Sequence, residues 1–341
     1  MKKSMLTAGL LLLAAAGTSV NASARETTLR FGHFFPAVSA ANKEVFQAWA
    51  DKIAEASNGE LKVDMYPSST LAKPNALYDA AANGITDISA TVLGYTANRF
   101  PLTQIVELPG VAKSAANGSC IVESLFEEGL FGKEYKDTKP LFLFTHGPGH
   151  IHTANKQVKK PEDLAGLRIR RPSSVVATLL EGLGAQPVGM PAPESYQSLQ
   201  NGVIDGVSLP YEGELTFRLN ELTPYHTEVG GLYTLSFIVT MNKRTYNRLP
   251  ANLKKVIDEN SGMSWSETAG KVFDELDTKG KAQAVEMGHE FYVVEGGGNN
   301  PDWKPVLDKA TEQYLSELEK KRLPARKVYA RAKELSQSCP M

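Results

Sequence analysis

The feature that most constrains the fold is a regular alternation of strand and helix patterns in the first hundred residues. In order, the patterns predict a strand at 28–34, a helix at 36–57, a strand at 61–67, a helix at 74–83 and a strand at 85–93. The helices are recognised by apolar residues that recur every three and four positions, and the strands by β-rich or alternating runs. This β-α-β-α-β order is typical of a parallel sheet flanked by helices.

The rest of the chain continues the alternation and adds a second unit. The patterns predict a helix at 114–130, strands at 141–144, 164–172, 186–190, 203–209, 235–242 and 289–294, further helices at 175–183, 194–201 and 303–321, and a mostly helical stretch at 250–288 interrupted by Gly262 and Gly270. The glycine- and proline-rich segment after Phe144 predicts a crossing into a second domain. We expect an α/β protein with domain I at 25–147 plus 236–277 and domain II at 148–235 plus 278–341. Ligands of such sheets bind beyond the carboxyl ends of the strands, in the cleft.

The first 24 residues have the pattern of a secretory signal. Two lysines precede an apolar run at 6–16, and Ala22–Ala24 reads A-S-A, which predicts cleavage after Ala24 and export of residues 25–341 to the periplasm. The run is too short to span a bilayer, and a retained anchor is the alternative. Loss of Lys2 and Lys3 changes the formal charge from −1 to −3, which argues against nucleic acid as a partner.

Cysteine content and known motifs limit the chemistry. The chain has two cysteines, Cys120 and Cys339; in an oxidising compartment they predict one disulfide, with two unpaired thiols as the alternative. G-x-S-x-G, H-E-x-x-H and C-x-x-C are absent from the sequence. The glycine loop at 295–301 lacks the lysine and spacing of a phosphate loop. The sequence therefore predicts neither an enzyme nor a cofactor.

The stretch L-A-G-L-R-I-R-R-P at 164–172 is the strongest candidate for an anion site. An arginine presents a planar fork of donors that matches a carboxylate. Strand alternation places Arg168 and Arg170 on one face and Arg171 on the other, and Arg171 is held extended by Pro172. Either one of the three anchors an organic anion, or all three are solvated charges at the rim of the sheet.

Other candidates lie at strand ends that could face the same cleft. Tyr211 could stack on or hydrogen-bond a ligand, although Glu212 after it also suits a helix N-terminus. His146, His150 and His152 lie within seven residues, so a metal site is an alternative, but acidic and cysteine ligands are not interleaved with them. We expect no metal and predict the ligand-binding residues Arg170, His150, Tyr211, Ser173, His33, Phe34, Tyr95, Met190, Leu209, Glu212 and Phe237.

Several of these motifs together resemble a known family. A signal sequence, L-R-F-G-H, L-K-V-D-M-Y-P-S-S-T-L, D-L-A-G-L-R-I-R-R-P and Y-Q-S-L-Q-N-G-V-I-D-G occur in this order. The mature chain thereby resembles the substrate-binding subunit of tripartite ATP-independent periplasmic (TRAP) transporters, of the DctP type. The resemblance implies a two-domain periplasmic-binding-protein fold with a hinge, which delivers an organic acid to the two membrane subunits of a sodium-driven importer.

The resemblance also narrows the site. The arginine before x-P is the carboxylate clamp of the family and falls on Arg170. The second arginine of the sialic-acid-binding relatives falls near His150, and their asparagine falls on Leu209, so the resemblance implies a smaller or more apolar acid than a sialic acid. We expect a monomer that binds a small or aromatic monocarboxylate or a 2-oxo acid. A periplasmic hydrolase or lyase and a stand-alone solute sensor are the alternatives.

Overall fold

The computed structural model describes residues 26–341, which form an α/β fold with two sheets. The strands are β1 (Thr27–His33), β2 (Leu61–Tyr66), β3 (Ile88–Val92), β4 (Thr138–Thr145), β5 (His150–Thr153), β6 (Arg168–Arg171), β7 (Gln186–Gly189), β8 (Gly206–Leu209), β9 (Tyr225–Glu228), β10 (Ser236–Asn242) and β11 (Glu290–Val293). The α-helices are α1 (Ala48–Ala56), α2 (Leu77–Asn83), α3 (Ala115–Glu127), α4 (Ser174–Gly182), α5 (Ser195–Gln200), α6 (Tyr211–Thr216), α7 (Lys243–Arg248), α8 (Ala251–Glu259), α9 (Met263–Glu286), α10 (Lys304–Lys320) and α11 (Ala325–Ser338). The predicted signal sequence lies outside the described residues.

Short helical turns complete the description. A π-helical segment, Ala41–Gln47, leads directly into α1. The 3-10 turns are Pro74–Ala76, Leu93–Tyr95, Thr103–Glu107, Pro161–Leu164, Ala192–Glu194, Leu219–Glu221 and Gly297–Asn299. None of the helices described in residues 26–341 has an apolar stretch long enough to cross a membrane.

Each sheet contains a strand from a distant part of the chain. The first sheet has the order β2-β1-β3-β10-β4, with β1 parallel to β2 and β3 and with β10 antiparallel to β3 and β4. The second sheet has the order β11-β9-β5-β8-β6-β7 and is also mixed. Because β10 lies inside the first sheet, the chain must leave that sheet after β4 and return to it.

The two sheets are therefore connected several times. The chain crosses at 146–149 and 229–235, and α9 packs against α3 and β4 on one side and against α6 on the other. The predicted domain boundary between 277 and 278 falls inside this continuous helix. The helix α11, which was not predicted and lies in a segment assigned to domain II, packs against α3, where a disulfide joins Cys120 to Cys339. The predicted domain limits stay a prediction.

Two local features differ from the sequence prediction for identifiable reasons. Helical structure begins at Ala40 rather than Pro36, and the hydroxyl of Ser39, the residue before it, accepts a hydrogen bond from the backbone N–H of Asn42. Gly270 does not interrupt α9. It lies where α9 meets α3, and a Cβ atom at this position would be 2.7 Å from the Cα of Ala116, so glycine permits the close approach of the two helices.

Candidate ligand-binding site

A cavity lies between the two sheets, where the sequence predicts a cleft. The strands β1, β3, β6 and β8 all end at it, as expected for strands whose carboxyl ends meet at a switch in strand order. The cavity has a volume of about 20 Å³, room for about one water molecule and far below the ~300–1,000 Å³ that ligand pockets span. A ligand therefore needs the two halves of the molecule to separate before it can enter between them.

Arg170 is the cation of this cavity and is fully buried (0% exposed). Its Nε donates to the carbonyl of Met190 at 3.0 Å, Nη1 to the carbonyl of Ser208 at 3.2 Å, and Nη2 to the hydroxyl of Tyr95 at 3.1 Å. All three partners are neutral, and among residues 26–341 no carboxylate lies within ion-pairing distance of this guanidinium. A buried charge without a counter-ion is costly, so an anion in the cavity would stabilise this arrangement.

The neutral contacts leave donors available. A guanidinium carries five N–H groups, and the contacts use one on each nitrogen, so one N–H remains on Nη1 and one on Nη2. The hydroxyl of Tyr95 accepts from Arg170 and from the backbone N–H of Ala192 at 3.0 Å, which leaves its own proton for donation. The cavity therefore offers three donors to an anion, two of them on the nitrogen pair that can bind both oxygens of one carboxylate.

The neighbouring arginines have other partners. Arg168 is partly exposed and forms a salt bridge with Asp205 through Nη2 at 2.6 Å, with a second contact from Nε at 2.9 Å. The carboxylate of Asp205 compensates the charge of Arg168. Arg168 is also not a lining residue of the cavity. Arg171 places its guanidinium against Gly189. Of the three candidates, Arg170 is the arginine that faces the cavity.

The walls of the cavity are mostly aromatic. Phe34 and Phe35 stack with ring centroids 4.5 Å apart, Phe217 lies 6.4 Å from Phe34, and Phe237 lies 6.2 Å from Phe35. Aliphatic side chains fill the gaps between them, namely Val92, Ala192, Leu209 and Leu235. Flat apolar walls of this kind favour a planar, apolar ligand body.

His146 and Glu212 supply the other polar side chains of the lining. Burial lowers the pKa of His146 to about 4, against the opposing effect of a hydrogen bond to the carbonyl of Gly147. Burial raises the pKa of Glu212 to about 7, although the hydroxyl of Thr216 donates to its Oε1 at 2.6 Å and favours the charged form. Both shifts follow from loss of water around the charged form, and the imidazole of His146 is neutral at pH 7.

The structure brings some of the predicted ligand-binding residues together. Those that line the cavity are Phe34, Tyr95, Arg170, Leu209, Glu212 and Phe237. Met190 contributes its carbonyl to Arg170, and Ser173 is the buried N-cap residue of α4, where it accepts from the backbone N–H of Val176 at 3.4 Å. These two residues support the site without being part of its lining.

Three predicted residues lie outside the lining of this cavity, and their contact with a ligand stays a prediction. His33 is in the core of the first sheet, where its Nε2 is 2.8 Å from Oδ1 of Asn42. Tyr211 donates its hydroxyl to Oε1 of Glu228 at 2.8 Å, and the ring of His150 lies 5.0 Å from that of Tyr211. The prediction located these residues at strand ends, but a strand end alone does not determine which face a side chain occupies.

Other lining residues were missed as ligand contacts. His146 stood in the histidine-rich segment but was considered only as a metal ligand. Phe217 follows α6 and has no distinguishing sequence pattern; it reaches the cavity because α6 begins directly after β8. The crossing segment after β4 was the one signal that could have identified His146.

A second polar cluster lies in the second sheet. His152, His226 and Glu214 each bring one possible metal-ligating atom within 4.8 Å of the others. However, Nδ1 of His152 and Nδ1 of His226 are 2.6 Å apart, and Nε2 of His226 is 2.9 Å from Nδ1 of His289. Ligand atoms on a tetrahedral zinc lie about 3.4 Å apart, so the imidazoles here serve as hydrogen-bond partners for one another.

A wider surface groove has no comparable anion site. It lies between the loops at 98–102 and 129–137 and the start of α11. Its arginine, Arg99, pairs with Asp137 and Asp79, so that charge is already compensated. The cavity at Arg170 is the better candidate because its charge is buried and lacks a carboxylate partner in the described part of the chain.

Comparison with known proteins places the chain in a family. Residues 31–317 match the family model for DctP, described as bacterial extracellular solute-binding protein, family 7. The C4-dicarboxylate-binding periplasmic protein DctP of Rhodobacter capsulatus is 27% identical over 311 residues, which cover 88% of this chain and 91% of the relative.

Solved structures show the same architecture. A TRAP solute-binding protein from an unidentified marine microbe, described as specific for aromatic acid ligands and solved with 3-hydroxybenzoate, has a TM-score of 0.89 and 36% identity; the match covers 93% of this chain and 100% of the other. A TRAP solute-binding protein of Rhodoferax ferrireducens, solved with copurified benzoate, has a TM-score of 0.87 and 34% identity, covering 92% and 98%.

These matches confirm the two-domain α/β fold predicted from the sequence. They also separate the chain from the hydrolase or lyase alternative, because the relatives are binding proteins. The chain therefore belongs to the bacterial extracellular solute-binding proteins of family 7, the DctP-type substrate-binding proteins of TRAP transporters.

Proposed function

We propose that this protein captures an aromatic monocarboxylate in the periplasm and delivers it to a TRAP membrane permease. The observation that carries the proposal is the buried guanidinium of Arg170, which has an unused N–H on each terminal nitrogen and no carboxylate partner within residues 26–341. The carboxylate of the ligand binds these two N–H groups and the hydroxyl of Tyr95. Its ring lies between the aromatic walls.

The charge of the cavity favours one carboxylate over two. Arg170 is the cationic side chain in the lining, and Glu212 is the acidic one. A second carboxylate on the ligand would meet phenylalanine rings or the carboxyl group of Glu212, and neither compensates a buried negative charge. The proposed ligand, a monocarboxylate, therefore differs from the C4-dicarboxylate in the name of the Rhodobacter relative.

The more similar solved structures support an aromatic acid. The relatives at 36% and 34% identity hold 3-hydroxybenzoate and benzoate. A TRAP solute-binding protein of Bordetella bronchiseptica, 27% identical with a TM-score of 0.84, holds mandelate. All three ligands combine one carboxylate with one aromatic ring, and the guanidinium of Arg170 and the phenylalanine rings of this cavity are the groups that would bind that combination.

Both halves of the molecule hold the ligand. Phe34, Tyr95 and Phe237 come from the first sheet and its loops, whereas Arg170 and Phe217 come from the second. A ligand that contacts both halves stabilises the arrangement in which they are closed. The closed surface is the form that the permease would recognise.

Calorimetric titration with matched acids and amides tests the proposal. We expect benzoate and hydroxybenzoates to bind, benzamide to bind at least about tenfold more weakly because it carries no negative charge to pair with Arg170, and succinate to bind weakly for lack of a second cation. Equal affinity for benzoate and benzamide would contradict the carboxylate clamp. Binding of succinate but not of any aromatic acid would contradict the ligand class.

A further inference from the structure

The imidazole of His146 is a buried polar group whose outer nitrogen has no partner. The residue is 2% exposed and lines the cavity. Its Nδ1 contacts the carbonyl oxygen of Gly147, while its Nε2 is buried and has no hydrogen-bond partner among the described residues. The ring is fixed from behind as well, because Thr234 donates to the carbonyl of His146 at 2.6 Å.

The hydrogen-bond network assigns the tautomer. A carbonyl oxygen can only accept, so Nδ1 must carry the proton in the contact with Gly147. Burial keeps the ring neutral at pH 7, with a pKa of about 4, and a neutral imidazole has one protonated nitrogen. Nε2 of His146 is therefore an acceptor that faces a ligand cavity without a donor.

A water molecule or a ligand that carries a donor can satisfy this nitrogen. The neighbouring aromatic rings of Tyr233 and Phe237 approach His146 edge-on at 5.9 Å and supply no hydrogen bond to Nε2. A carboxylate has no proton to give and is drawn to Arg170. We propose that the site selects aromatic acids with a ring hydroxyl group, which donates to Nε2 of His146; this inference rests on the function proposed above.

The selectivity follows from the cost of an unpaired group. When the unsubstituted acid fills the cavity, it excludes water and leaves Nε2 of His146 without any donor. An unsatisfied buried acceptor weakens binding by about 10- to 100-fold relative to a satisfied one. The same carboxylate clamp serves both ligands, so the hydroxyl group alone accounts for the difference.

The test compares two proteins and a set of related ligands. Dissociation constants of wild type and His146→Phe are measured for benzoate and for 2-, 3- and 4-hydroxybenzoate. We expect wild type to bind at least one hydroxybenzoate tenfold or more tightly than benzoate. In His146→Phe, which keeps a ring of similar shape, we expect this ratio to fall to within about twofold while benzoate still binds. Persistence of the preference in the variant would overturn the assignment of His146 and leave Glu212 as the acceptor.

A ligand control keeps the inference testable if the variant folds poorly. Methoxybenzoate with the substituent at the preferred position retains the oxygen but lacks the proton, so wild type should bind it no more tightly than benzoate. Equal affinity for the methoxy and hydroxy acids would overturn the inference. If wild type binds benzoate and hydroxybenzoates equally, this inference fails alone. If it binds no aromatic acid, the proposed function fails.

Discussion

Arg170 shows how a charged side chain can be held inside a protein before its ligand arrives. Two backbone carbonyls and one hydroxyl fix the guanidinium, so little side-chain entropy is lost when an anion binds. None of these groups neutralises the charge. The arrangement therefore preorganises the site for the carboxylate of a ligand, and no carboxylate side chain of the described residues competes for the guanidinium.

A pair of substitutions on one strand separates the clamp from general electrostatics. Arg170→Met removes the charge and the two unused N–H groups, and we expect the affinity for aromatic acids to fall on the order of 100-fold. Arg168→Met is the matched control, because Arg168 pairs with Asp205 outside the cavity, and we expect its affinity to change less than twofold. Calorimetry measures both. Equal losses in the two variants would contradict a specific role for Arg170.

Glu107 is a buried carboxyl group near the contact between the two halves. It accepts from the backbone N–H of Ser236 at 3.4 Å and from Nε2 of Gln104 at 3.5 Å. Burial raises its pKa to about 8, and the hydroxyl of Ser173 and the two contacts above only partly oppose this effect. Long hydrogen bonds do not replace the lost hydration of a carboxylate, so the group stays protonated at neutral pH.

This raised pKa predicts a pH-dependent stability. The folded state holds the proton of Glu107 at pH values where the unfolded state, with a pKa near 4.5, has released it. The contribution is therefore complete below about pH 4.5 and is lost as the pH rises through 8, by up to about 1.4 kcal/mol per pH unit. Glutamine at position 107 cannot ionise, so Glu107→Gln does not lose this stability. The melting temperature of the variant minus that of wild type should therefore increase between pH 5 and pH 9. If the melting temperatures of the two proteins change in parallel with pH, the raised pKa of Glu107 is contradicted.

Residue identity in the site was only partly predictable from the sequence. Strand alternation places Arg168 and Arg170 on the same face and so could not decide which of them binds the anion. The resemblance to the family pointed to Arg170. His150 was expected in place of the second family arginine, but its ring packs against Tyr211. Because the predicted turn contains the start of β5, the face on which His146 and His150 lie depends on strand pairing that the sequence does not show.

At the scale of elements, the turn after β3 meets the start of α4 across the cleft. Gly94 lies in this turn, and a Cβ atom there would be 2.5 Å from the Cβ of Ser173 and 3.2 Å from the carbonyl oxygen of Pro172. Tyr95, the next residue, reaches Arg170. The absence of a side chain at Gly94 thus allows the two halves to approach closely enough for Tyr95 to take part in the site.

Substitution of this glycine tests the approach. Gly94→Ala forces the halves apart, and we expect ligand affinity to fall about tenfold, as overpacking of a tight contact costs on the order of 1–3 kcal/mol. The double variant Gly94→Ala/Ser173→Gly removes the nearest obstructing atom and should recover part of the affinity, since glycine is tolerated at an N-cap. Unchanged binding in the single variant, measured by calorimetry, would show that the contact does not matter.

The elements themselves were predicted unevenly. The helices α3 and α10 and the strands β1 to β3 follow periodic patterns, so their predicted positions were close to those observed, whereas the 14-residue helix α11 was missed. The strands β5 and β9 were missed, although the equally short β6, β7, β8 and β11 were predicted; the sequences of β5 (H-I-H-T) and β9 (Y-H-T-E) contain no apolar run. The predicted strand at 164–172 is shorter, Arg168–Arg171, because Leu164 ends a 3-10 turn.

At the scale of the whole molecule, the C-terminal helix is tied back to the first half. The disulfide between Cys120 and Cys339 links residues 219 positions apart and fixes the end of α11 against α3. A crosslink that closes a long loop restricts the unfolded chain and stabilises the fold, typically by about 2–4 kcal/mol.

Reduction should therefore lower the melting temperature of the protein while leaving the distant cavity competent to bind. We expect wild type to melt at a lower temperature in reductant than without it, measured by scanning calorimetry. The double variant Cys120→Ser/Cys339→Ser is the control and should melt at one temperature under both conditions. Labelling of two free thiols in the unreduced protein would contradict the bond.

The two halves, the crossing segments and α9 together hold one cation, four phenylalanine rings and the ring of Tyr95 around a small cavity. A crystal structure of the protein with 3-hydroxybenzoate tests this account most directly. We expect the ligand carboxylate within about 3.2 Å of Nη1 and Nη2 of Arg170 and the ring between Phe34, Phe217 and Phe237. A ligand bound with its carboxylate away from Arg170, or outside the cavity, would contradict the account.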